Sequence, residues 1–135
     1  MITSKIEYLG GLRTEATHIA SGNKIITDAP VDNFGKGEAF SPTDLLATSY
    51  ASCMLTIIGI YCQNHGLSFE KGNAEVTKIM SSEPPRRVQK IVLTVDLRGN
   101  SWDETEQKKV VAAGKACPVA KTLGDNVEVE LEILV

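Results

Sequence analysis

Between Asp44 and His65 the chain carries no charged side chain, inside the stretch SPTDLLATSYASCMLTIIGIYCQNHG that runs from Ser41 to Gly66. Ser41 suits an N-cap, Pro42 the first helical position, Asp44 the first turn, and Gly66 a left-handed stop just past the end. The spacing predicts one long helix. Apolar or small residues lie on all its faces, so its natural place is the buried axis of a domain. The uncharged run from Leu45 to Asn64 is also about as long as a membrane span. Thr48, Ser49, Ser52, Thr56 and Gln63 interrupt it and no basic flank sets a topology, so we read a core helix and expect no membrane partner.

At 135 residues the chain is expected to form a single domain, 1–135, large enough for a real core. With 42% hydrophobic and 23% charged residues it falls among soluble globular proteins. The net charge is −3 and no basic cluster exceeds Arg86-Arg87, which argues against a nucleic-acid partner. The first ten residues carry Lys5 and Glu7 and lack an apolar secretory core, so the cytoplasm is the expected compartment.

The N-terminal part reads as a β-meander. Its strands are expected at Lys5 to Tyr8, Leu12 to Ala20 and Lys24 to Asp28, with turns at Gly10-Gly11 and Ser21-Gly22-Asn23-Lys24. A loop rich in Gly, Pro and Asp follows, from Ala29 to Phe40, long enough to carry function. Beyond the central helix, Ser68 to Met80 and Val88 to Leu97 form an expected antiparallel pair. Ser101 to Gly114 is a second helix, with Ser101 and Glu104 as a capping box and Gly114 as its stop. Pro118 to Leu123 is a short third helix, and Val127 to Val135 alternates as a closing strand. The order predicts an α+β domain, antiparallel sheets wrapped around the long central helix. Edge strands and a large apolar helix in so small a chain favour a homodimer.

The chemistry available lies in three thiols, Cys53, Cys62 and Cys117. Their spacing matches no CxxC or zinc pattern, and with only His18 and His65 in the chain no metal site is expected. Cys117 precedes Pro118 and would sit at a helix N-terminus, where backbone N–H groups favour thiolate; Lys115 and Lys121 add charge nearby. Cys53 is mid-helix, where burial would suppress ionisation. It needs a cation from elsewhere, and Arg13, just after a Gly-Gly turn, is a candidate. Cys62 comes nine residues after Cys53, about 900° further round the helix, and reads as packing. His65 suits the last helical turn and His18 a strand surface. By the residues alone, both remaining thiols are open between reactivity and plain burial, and Arg13 between a site role and a surface pair with Glu7 or Glu15.

SPTDLLATSYASC, taken with the downstream ACPVAKTL and the upstream GGLR, DAPVDN and GKGEAFSP, closely resembles the OsmC/Ohr family of osmotically inducible and organic hydroperoxide resistance proteins, in its OsmC-like branch. The resemblance implies an intertwined homodimer with sites at the subunit interface and thiol peroxidase chemistry. It makes Cys53 the peroxidatic cysteine, Cys117 the resolving cysteine, and Arg13 the group that stabilises thiolate and orients peroxide. No haem, flavin or metal cofactor is implied, and the reductant is an external dithiol, in some members a lipoyl-bearing protein.

The family places a glutamate just after the proline of the pre-helix motif to hold the arginine; here that position is Thr43. Asp44 would project about 100° away round the helix, and Glu38 could substitute if the loop folds back. Thr43, Asp44 and Glu38 are therefore the expected substrate-side residues. Met54, Ile57 and Phe40 are candidates to line a pocket that prefers organic hydroperoxides. A small-molecule binding protein with little peroxidase activity is the alternative.

Overall fold

The computed structural model describes all 135 residues. The element order is β1 (Ser4–Gly10), β2 (Arg13–His18), β3 (Lys24–Asp28), α1 (Pro42–Asn64), β4 (Asn73–Met80), β5 (Val88–Asp96), α2 (Glu104–Lys115), α3 (Pro118–Leu123) and β6 (Glu128–Leu134). This is the expected α+β class, with two small sheets and a long central helix. The chain divides into two compact units, 1–46 and 47–135, with the division inside α1.

The first unit holds an antiparallel sheet in the order β1-β2-β3. Its second hairpin pairs Arg13 with Asp28 and Thr17 with Lys24. The alternation of side chains puts Ile6, Tyr8 and Ile25 on one face and Arg13, Glu15 and Asp28 on the other. The loop after β3 is tied back to its own sheet: Asp28 N donates to Phe40 O at 3.1 Å and Ala29 N to Leu12 O at 3.0 Å. Gly35 permits that close return, because a Cβ there would lie 1.8 Å from Ala29 O.

The caps of α1 follow the sequence reading. Ser41 Oγ accepts from Asp44 N at 3.0 Å, while Asp44 Oδ2 accepts from Ser41 N at 2.9 Å, a reciprocal capping box. At the other end Gly66 has φ 66° and Leu67 N donates to Cys62 O at 2.8 Å, which is a Schellman closure. Although α1 is long and apolar enough to cross a membrane, Ala47, Tyr50, Ala51, Met54, Ile58 and Cys62 are buried in the protein's own core. Ile91, Leu93 and Val95 of β5 join them, all fully buried, with Val110 of α2.

Four local expectations shift. The second sheet, ordered β4-β5-β6, pairs β4 with β5 antiparallel but β5 with β6 parallel. Two helices intervene between β5 and β6, and a crossover of that length returns the chain in the same direction. The strand expected from Ser68 begins only at Asn73. Asn100 Oδ1 instead accepts from Glu70 N and Lys71 N at 2.9 and 3.1 Å, and Phe69 packs against Trp102 with ring centroids 5.8 Å apart.

Helix α2 is capped by Asp103 with Glu106, two residues later than the Ser101 and Glu104 box. Both pairs have the right spacing; Trp102 decides, being buried with Nε1 donating to Ser68 O at 2.6 Å, so residues 101–102 stay outside the helix. Gly114 lies inside α2 rather than ending it, and a Cβ there would meet Ile58 at 3.0 Å and Met54 at 3.1 Å. It is a close-approach residue between helices.

Candidate active site

Two of the three thiols come together. Cys53 sits mid-way along α1, half-buried. Cys117 is fully buried at the N-cap of α3, with the Cys53 sulfur near enough to act on its ionisation. Pro118 occupies the first turn of α3, and Cys117 Sγ accepts from Ala120 N at 3.4 Å. Burial nonetheless pushes the Cys117 thiol above its ordinary value, with the neighbouring Cys53 sulfur acting in the same direction. The N–H groups at the start of the six-residue α3 favour the thiolate, as expected, but burial outweighs them. Cys117 is held as a protonated thiol.

Tyr50 lies three residues before Cys53 on the same face of α1 and is buried. Burial raises its phenol, with the nearby Cys117 sulfur acting in the same direction. Cys62 is buried in the core and raised by burial alone, in keeping with a packing role. Met54 is fully buried, Ile57 partly buried against the core, and Phe40 exposed. His65 stacks on Tyr61 with centroids 4.0 Å apart, and His18 Nδ1 meets Ser21 Oγ at 2.6 Å. No three His, Cys, Asp or Glu side chains converge to hold a metal.

In the first unit, Arg13 is held by carboxylates. Its Nε donates to Asp28 Oδ1 at 2.7 Å and its Nη2 to Asp28 Oδ2 at 2.8 Å, a two-pronged contact, while Nη2 also reaches Glu38 Oε1 at 3.2 Å. The loop does fold back, since Glu38 N donates to Asp28 Oδ2 at 3.1 Å. Thr43 Oγ1 lies 3.2 Å from Ser41 Oγ, and the Asp44 carboxylate closes the helix cap.

Asp28 is the residue that sequence reasoning passed over. Its signal was present: a hairpin around Ser21-Gly22 that pairs Thr17 with Lys24 places Arg13 opposite Asp28 four residues further along the ladder on each strand. The contact with Arg13, followed by the Glu38 N–H bond, holds the Asp28 carboxyl below its usual range, and the same pair raises Arg13. The sign follows. A depressed carboxyl stabilises the folded form above the ordinary carboxylate range, and that contribution is lost as pH falls through the depressed value. Amide exchange at Glu38, corrected for its intrinsic pH dependence, should therefore stay slow down to about pH 4 and quicken only below it.

Over residues 35–132 the chain matches the family of OsmC-like proteins. It belongs to that family. A crystal structure from Psychrobacter arcticus 273-4, whose name places it in the osmotic stress induced and detoxification response, shares 50% identity with a TM-score of 0.90, covering 98% of this chain and 96% of that one. More distant OsmC-like folds include an organic hydroperoxide resistance protein OsmC from Legionella pneumophila, at 22% identity and TM-score 0.76, covering 100% of this chain and 98% of that one. The organic hydroperoxide resistance protein OhrB of Bacillus subtilis follows, at 19% and 0.68, with 98% of each chain covered. No protein of curated function matches the chain.

Proposed function

We propose that this OsmC-like protein is a thiol-dependent peroxidase that reduces organic hydroperoxides in the cytoplasm. The observation that supports the reading best is the nearness of Cys53 to Cys117, one half-buried and the other fully buried with its thiol raised. Hydroperoxide resistance proteins among the structural relatives point to the same substrate class.

Cys53 thiolate attacks the terminal oxygen of ROOH; the O–O bond breaks, the sulfur becomes sulfenic acid, and the alkoxide leaves and takes up a proton as ROH. The Cys117 thiol then displaces water from the sulfenic acid, forming the Cys53–Cys117 disulfide. An external dithiol, for which a lipoyl-bearing protein is suited, reduces that disulfide by two exchanges and is itself oxidised. Arg13 is the proposed cation of the site, with Glu38 and the Thr43–Asp44 turn on the substrate side. The test is intact mass after cumene hydroperoxide: the reduced protein should lose two hydrogens, and faster than Cys53→Ser does. Equal rates overturn the reading.

The functional unit is proposed to be a homodimer. Residues 1–46 bury only Thr27, Asp28 and Ser41 and no hydrocarbon side chain, while Ile6, Tyr8, Ile25, Val31 and Phe34 are more than half exposed. An exposed apolar surface of this kind, on the sheet at Ile6, Tyr8 and Ile25 and on the loop after it at Val31 and Phe34, is a partner's footprint. Sedimentation equilibrium should give twice the 14.6 kDa chain mass. A monomer under the same conditions would refute the dimer.

A further inference from the structure

We propose that Asp28 is the positioning residue of the Arg13 guanidinium, supplying from β3 the carboxylate for which the position of Thr43 has only a hydroxyl. The inference rests on the reading of Arg13 as the cation of the peroxidase site and goes beyond it by naming what aims that cation.

The geometry separates the two carboxylates on Arg13. Asp28 has a side chain with no exposed surface, against 65% exposure for Glu38 and 26% for Arg13 itself. Its two oxygens take Nε and Nη2 at 2.7 and 2.8 Å, so the fork defines the plane and direction of the guanidinium, whereas Glu38 makes one longer contact at 3.2 Å. Arg13 and Asp28 are cross-strand partners, so the ladder between β2 and β3 sets the backbone positions from which the fork closes. Asp28 Oδ2 also receives the Glu38 N–H at 3.1 Å, which ties the loop to the same anchor. With Nε and Nη2 committed, Nη1 is the amino group left without a protein acceptor. Glu38, exposed and singly bonded, is the contact that an incoming peroxide can displace; Asp28 is the one that stays.

The full chain can be tested with Asp28→Asn, Asp28→Glu, Arg13→Ala and Arg13→Lys. Two readouts are needed: the rate of Cys53–Cys117 disulfide formation with cumene hydroperoxide, and the rate of phenylglyoxal labelling of Arg13, read by peptide mass. Asp28→Asn should slow the oxidation by about tenfold or more, toward Arg13→Ala, and speed the labelling several-fold. Asp28→Glu, which keeps the charge, should recover most of both. Packing alone predicts the reverse order, because asparagine matches aspartate in size and glutamate adds a methylene to a filled site. Should Asp28→Asn not fold, Arg13→Lys carries the test, since it keeps the charge without the fork and should be nearly as slow as Arg13→Ala.

An active wild type with Asp28→Asn unchanged, with Asp28→Glu the worse of the two, or with Arg13→Lys at wild-type rate overturns the assignment alone. A wild type no faster than Cys53→Ser overturns the peroxidase reading, and the assignment with it.

Discussion

Cys117→Ser protein treated with an organic hydroperoxide should react once and stop, gaining one oxygen at Cys53 and forming no intramolecular disulfide. Cys53→Ser should lose the reaction altogether, by about a thousandfold or more if Cys53 is the nucleophile, since removal of a covalent nucleophile leaves little behind. The asymmetry comes from the environments of the two sulfurs. Cys117 is fully buried and its thiol is pushed above the ordinary value, so it is a poor nucleophile toward a peroxide in solution but lies near the sulfur it must capture. Cys53 keeps part of its surface exposed, which an incoming ROOH requires. Dimedone labelling of the Cys117→Ser protein after one equivalent of cumene hydroperoxide checks the sulfenic acid at Cys53. Labelling of Cys117 in the Cys53→Ser protein would invert the roles.

The second large effect is on stability. Gly114→Leu should destabilise the protein by about 3 kcal/mol, near the upper end for overpacking in a filled core. Even a Cβ at this position would stand 3.0 Å from Ile58 and 3.1 Å from Met54, and both of those side chains are fully buried. Leucine adds three more carbons where α2 approaches α1, and neighbours at crystal-like density cannot yield that volume. Gly114→Ala is the informative partner. Its gain in helix propensity, about 1 kcal/mol, opposes the tight Cβ contact, so the change should stay within about 1 kcal/mol of wild type. Urea unfolding at a fixed protein concentration, with the slope unchanged, measures both. A Gly114→Leu midpoint equal to wild type would mean that the helices separate freely there.

The same residue shows how the sequence can mislead. Glycine near the end of an apolar helical pattern reads as a stop, and at Gly66 that reading holds because φ is 66°. At Gly114 the backbone is helical and the missing side chain serves α1 instead. Nothing within five residues of Gly114 carries that information. The cap of α2 makes a similar point: Ser101 with Glu104 and Asp103 with Glu106 have equal claims locally, and a tryptophan bonded to Ser68, over thirty residues away, chooses between them.

The chain by itself determined the caps and span of α1, the meander of β1 to β3, and the placing of Cys117 at the N-terminus of α3. Those features rest on neighbours three or four residues apart, on period-two alternation and on turn chemistry, all of which are written in consecutive letters. Tertiary structure decided that β6 runs parallel to β5, that Cys117 is a buried thiol near Cys53, and that Asp28, with Glu38 behind it, holds Arg13. Each of these depends on groups far apart in sequence becoming neighbours and on how completely water is excluded between them, and desolvation is a property of the packed whole.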